Sequence, residues 1–83
     1  MAGFSIFSVT FTGVNSSSAT QISVPGLKTG DRRIHLYDSR YPESDILNGS
    51  GQFGSVVTSD DELWQTSGNF SVGTYTGVFV RFS

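Results

Sequence analysis

Hydrophobic and polar side chains alternate along most of this chain. Over residues 5–12, Phe7, Val9 and Phe11 alternate with Ser8, Thr10 and Thr12, a period of two that predicts a half-buried strand. Residues 20–24 repeat the pattern, with Ile22 and Val24 on one face and Gln21 and Ser23 on the other. Pro25 and Gly26 end that run, because proline offers no ladder N–H and glycine takes positive φ freely. Residues 32–37 predict a strand with Ile34 and Leu36 inward and Arg33, His35 and Tyr37 outward. Residues 53–59 read as extended, Asp60 and Asp61 as a tight turn, and residues 62–66 as the hairpin partner. Residues 70–72 form a short extended piece, and residues 75–82 are the strongest strand of all. Turn-rich breaks at 13–18, 28–31 and 67–69 separate these runs. Short strands at close spacing predict an all-β fold, a small antiparallel β-sandwich or jelly-roll-like barrel. Residues 1–83 are expected to form one domain.

Residues 38–52 break the pattern. They hold Pro42, Gly49, Gly51 and four charged side chains, without a clear period. A loop this long in so short a chain is expected to be functional or mobile. Ser44 is placed to cap a single helical turn over residues 44–47.

Two segments defy the in/out rule. Phe4 and Ile6 lie on the opposite parity from Phe7, Val9 and Phe11. In the last strand Val78, Val80 and Phe82 share one face, and Tyr75 and Phe79 the other. A strand apolar on both faces is normally covered on both. Either a bulge between Ile6 and Phe7 re-aims the side chains, or another subunit covers one face. The second alternative makes Phe4, Ile6, Val78, Val80 and Phe82 the oligomer interface. Stability favours it: a domain of this size buries only about 60–65% of its unfolded surface and usually needs disulfides, metal or oligomerisation.

Composition narrows the function. Charged residues make up 14% of the 83, below the roughly 25% of typical soluble domains. The formal net charge of −2 offers no positive excess for nucleic acid. Aromatic residues at 13% argue against a disordered acidic chain. The absence of cysteine excludes a disulfide framework and a thiolate zinc site. No Lys or Arg precedes Lys28, so a secretory signal is not expected, and no apolar run approaches the ~18 residues that span a bilayer. Met1 followed directly by a strand pattern reads as the start of a complete small open reading frame.

Candidate chemistry is sparse. His35 is the single histidine, at an outward position between Arg33 and Tyr37, and no nucleophile elbow accompanies it. Asp60, Asp61 and Glu62 are consecutive, and an extended chain cannot aim three consecutive carboxylates at one ion. They read as a solvated hairpin tip, and Asp31 as a turn or edge residue. The N-x-[ST] sequons at Asn15, Asn48 and Asn69 are expected by chance in a Ser-rich chain. Trp64 with Tyr37, Tyr41 and Tyr75 could form an aromatic platform for sugar rings, although such residues more often lie in cores or interfaces. No catalytic residue, cofactor or metal is expected, and neither nucleic acid nor membrane as partner.

The run Gln21-Ile-Ser-Val-Pro-Gly-Leu-Lys-Thr-Gly-Asp-Arg-Arg33 resembles the strand–turn–strand of small β-sandwich modules in virion proteins of tailed bacteriophages. Gly73-Thr74-Tyr75 and the Val78-Phe79-Val80-Arg81 strand are similar to the ending of those modules. The 38–52 segment, with Tyr41 and Pro42, looks like an insertion relative to them. The resemblance implies a non-enzymatic structural protein, first of all a capsid decoration protein. Such a protein forms a homo-oligomer, with a trimer favoured, on the outer capsid surface and stabilises the shell by binding the major capsid protein or another virion protein. The alternative is a tail, baseplate or fibre component contacting host glycans. Tyr37, Tyr41 and Trp64 are the candidate shell or glycan contacts.

Overall fold

The computed structural model describes residues 3–39 and 52–82. The strands are β1 (Phe4–Phe11), β2 (Asn15–Ser16), β3 (Thr20–Ser23), β4 (Arg32–Asp38), β5 (Glu62–Gln65), β6 (Gly68–Asn69) and β7 (Tyr75–Phe82). The fold is all-β, and every strand pair is antiparallel. The loop expected at 38–52 lies outside the described residues over 40–51, as do the helical turn at 44–47 and Tyr41. Asp38 itself belongs to β4 and pairs with Tyr75.

The largest sheet has the order β1-β7-β4. β1 and β7 pair without interruption from Phe4 opposite Phe82 to Phe11 opposite Tyr75. The bulge considered between Ile6 and Phe7 is therefore absent, and side-chain parity holds along the whole ladder. Ser5, Phe7, Val9 and Phe11 share the inner face with Tyr75, Gly77, Phe79 and Arg81. Phe4, Ile6, Ser8 and Thr10 share the outer face with Thr76, Val78, Val80 and Phe82.

The irregularity lies in β4, where the register shifts between Arg33 and His35. Arg33 opposes Phe79 and His35 opposes Val78, so Ile34 is the extra residue. This reverses the expectation for the first half of β4. Ile34 is 46% exposed and Arg33 is buried, while Leu36 is fully buried as the alternation predicts. Arg33 is accommodated inside because its guanidinium donates to the carbonyls of Phe53 at 2.8 Å and Gly54 at 3.2 Å.

β3 pairs with β5, not with a neighbour in sequence. The expected 53–59/62–66 hairpin is correspondingly reduced to its base. Phe53 bridges Gln65, and the Gly54 N–H donates to the Trp64 carbonyl at 2.8 Å. The chain then crosses to β4, where the Arg33 N–H donates to the Ser55 carbonyl and Val56 bridges Arg32. Residues 52–57 thus tie the β3-β5 sheet to the β1-β7-β4 sheet. The breaks expected at 13–18 and 67–69 contain β2 and β6, which pair with each other.

The core lies between the layers. Phe11, Leu36 and Phe79 come from the β1-β7-β4 sheet, and Ile22 and Leu63 from the β3-β5 sheet. Val24, Leu27, Phe53 and Val57 fill the connections between them. Phe53 is the aromatic centre, 5.2 Å from Phe11, 5.2 Å from Phe70 and 5.1 Å from Tyr75, centroid to centroid.

Candidate functional site

The feature that demands a functional account is the outer face of the β1-β7-β4 sheet. At their outer ends β1 and β7 alternate in the inverted sense, with Ser5 and Arg81 facing inward. Strict parity therefore sends Phe4, Ile6, Val80 and Phe82 to the side away from the core. Phe4 is 65% exposed, Ile6 59% and Phe82 62%. The Phe4 and Phe82 rings lie 6.4 Å apart, and Ile6 opposes Val80 on the next outward rung. Val78 follows, flanked by Ser8 and by His35 of β4. The sequence-predicted interface residues Phe4, Ile6, Val78, Val80 and Phe82 are thus brought onto one surface. Isolated exposed apolar residues are ordinary, whereas a contiguous row of them marks a contact surface.

The other end of this face is polar. Thr76 opposes Thr10 and Tyr37, its hydroxyl 3.3 Å from that of Thr10 and 2.8 Å from that of Ser39. His35 and Tyr37 stand side by side on β4, their rings 5.4 Å apart. The face therefore grades from an apolar end at the chain termini, bordered by Arg32 opposite Val80, to a hydroxyl-rich end near Tyr37.

The candidate shell or glycan contacts do not share one surface. Tyr37 belongs to the outer face of β4, Trp64 is 37% exposed on β5 in the other sheet, and Tyr41 lies outside the described residues. Tyr75 is withdrawn from the expected platform, because its ring packs against Phe11, Phe53 and Phe70.

The acidic residues are structural in a way that sequence reasoning missed. Asp31 is buried, and Arg81 donates to both of its oxygens, Nε to Oδ1 at 2.9 Å and the Nη2 group to Oδ2 at 2.8 Å. The Lys28 N–H adds a third bond at 2.8 Å. The Arg81 hydrogen bonds, joined by the Lys28 N–H, hold the Asp31 carboxyl below its ordinary range against the opposing effect of burial. The available signal was parity: Arg81 shares the inward register of Phe79 and Tyr75. The tip at Asp60 and Asp61 is exposed, as expected, and it also acts as a clamp. Asp61 takes positive φ, and its Oδ1 accepts from the Gly26 N–H at 2.9 Å. Asp60 Oδ1 accepts from the Thr29 N–H at 2.9 Å and the Thr29 hydroxyl at 3.0 Å, which lower its pKa. These carboxylates hold the Pro25–Gly30 turn in place.

Gln65 is fully buried and imitates a strand. Its side-chain carbonyl accepts from the Val14 N–H at 2.8 Å, and its amide donates to the Val14 carbonyl at 2.9 Å. Among the described residues no pocket opens, and no three His, Asp or Glu side chains converge as metal ligands. Comparison with protein-family models, with curated proteins and with solved structures finds no match to this chain.

Proposed function

We propose that this chain is a structural protein of a bacteriophage virion, a decoration protein that self-associates and binds the outer capsid. The observation that carries the reading is the apolar row Phe4, Ile6, Val80 and Phe82 on the side of the sheet away from the core. A chain of 83 residues without cysteine gains stability by covering such a surface with protein. Its mechanism is binding alone. The apolar row and the β backbone supply the contacts, and the low-charge surface limits the desolvation that docking costs. The resemblance of the 21–33 run and of the last strand to phage virion modules supplies the biological setting.

The test is co-sedimentation of the purified chain with empty capsids from its source. Saturable binding at a fixed copy number, lost in Ile6→Asp, is expected. Failure to sediment with capsids contradicts the reading.

One observation favours the alternative of a tail or fibre component that contacts glycans: Trp64 is exposed on the sheet that the apolar row does not use. An exposed indole is a surface for the apolar face of a sugar ring. Glycan-array binding that disappears in Trp64→Ala, without capsid binding, would select this alternative.

A further inference from the structure

The edge of β1 differs from the opposite edge of its own sheet. β1 has eight residues, Phe-Ser-Ile-Phe-Ser-Val-Thr-Phe, and its ladder partner is β7 on one side. Among the described residues nothing pairs with its other side. Proteins blunt such edges with charge, proline or bulges. β4, the opposite boundary of the sheet, has all but the proline: it holds Arg32, Arg33 and Asp38, it carries the bulge, and residues 55–57 cover its start. β1 has no charged residue, no proline and no bulge.

A second observation concerns both faces of β1 at once. Phe4 and Ile6 are exposed on the outer face. Phe7 and Val9 point inward, yet they remain half-buried, because a three-stranded sheet meets a two-stranded one. A partner laid on the outer face would cover Phe4 and Ile6 and leave Phe7 and Val9 unchanged. A partner joined at the edge covers the margins of both rows.

We propose that the free edge of β1 pairs antiparallel with β1 of a second copy, joining two three-stranded sheets into one. This deepens the self-association proposed above and rests on it. The second copy fits for reasons of symmetry. A two-fold axis normal to the sheet keeps inner face with inner face, so the opposed residues must have the same parity. The axis then passes at a residue near the strand centre, Phe7 or Ser8, opposite its own copy. With the axis at Ser8, Phe7 and Val9 of one copy oppose Val9 and Phe7 of the other beneath the sheet, and Ile6 lies beside Thr10 of the other copy above it; with the axis at Phe7, Phe7 opposes its own copy and Ile6 lies beside Ser8. Uncharged strands bring no like charges into opposition. A two-fold contact predicts an even copy number, where the resemblance implies three.

Amide hydrogen exchange of β1, read by NMR together with solution mass, tests this. Amides that bond to β7 exchange slowly in any folded state, and in a lone copy the alternate amides face the open edge and exchange fast. Pairing predicts that at high concentration the edge-facing amides slow by at least about tenfold, in step with doubling of the mass. Ser8→Lys, on the exposed side of β1, is expected to restore the alternating pattern and the single-copy mass, while the β7-facing amides stay slow and report an intact fold. An oligomer in which β1 keeps alternating protection overturns the edge pairing and leaves self-association through the face standing. A single-copy mass at every concentration overturns both.

Discussion

Arg81 and Asp31, 50 positions apart in sequence, form a two-pronged pair in which Nε meets Oδ1 at 2.9 Å and Nη2 meets Oδ2 at 2.8 Å. The pair ties the last strand to the Lys28–Asp31 turn. The Arg81 guanidinium also donates to the Gly26 carbonyl at 2.7 Å and lies 4.6 Å above the Phe7 ring. One side chain thereby connects β7, the Pro25–Gly26 turn and β1. Asp31 is the buried partner and Arg81 is one-third exposed.

Acid is expected to weaken the fold through Asp31. Its carboxyl titrates lower in the folded chain than in the unfolded one, so the unfolded state binds the proton first. The stabilisation is present above the unfolded carboxylate pKa of about 3.9 and is lost as pH falls through the lowered folded value. Asp31→Asn should cost about 2 kcal/mol at neutral pH, less than a fully buried pair because Arg81 stays partly solvated. Thermal unfolding between pH 2 and pH 7 checks this: the variant should lose part of the acid-dependent drop in Tm. An unchanged acid limb would remove Asp31 from the account.

Arg81→Lys is not conservative here. An ammonium cannot occupy both Asp31 oxygens, reach Gly26 and stack on Phe7 together. A lower urea midpoint with an unchanged slope is expected from the missing charge-assisted bonds and cation–π contact.

The β4 bulge predicts opposite outcomes two residues apart. Leu36→Ala should cost about 2–5 kcal/mol, as for a fully buried leucine. Ile34→Thr should stay within about 0.5 kcal/mol, because Ile34 faces outward. Equal penalties would restore the simple alternation of β4.

Gly13 is required by close approach. A Cβ there would stand 2.5 Å from the Phe70 Cβ and 2.7 Å from the Gln65 side-chain oxygen that holds Val14. Gly13→Ala should destabilise by about 1–3 kcal/mol through displacement of packed groups. Rapid exchange of the Val14 amide in that variant would show that the Gln65 contact is the part that gives way.

Most of the fold was legible because period two is local information. β1, β3 and β7 follow from the alternation around Phe7, Ile22 and Phe79, and the odd parity of Phe4, Ile6, Val80 and Phe82 was visible too, but only the unbroken β1–β7 register decides between a bulge and an outward face. The rest depends on long-range geometry. Nothing near Ile34 announces an extra residue, since the bulge exists only relative to β7. The partner of β5 is β3, some forty positions away, and short range favoured residues 53–59 instead. Asp31 and Gln65 read as polar turn and strand residues, because their partners, Arg81 and the Val14 backbone, are distant in sequence.

Self-association is tested most directly by the solution mass of the purified chain, from light scattering coupled to size exclusion across a concentration series. A closed oligomer is expected, an even multiple of 8.9 kDa, that reverts to the single-copy mass in Ile6→Asp with its β-sheet circular dichroism unchanged. A folded wild-type chain that stays at 8.9 kDa at every concentration would contradict it.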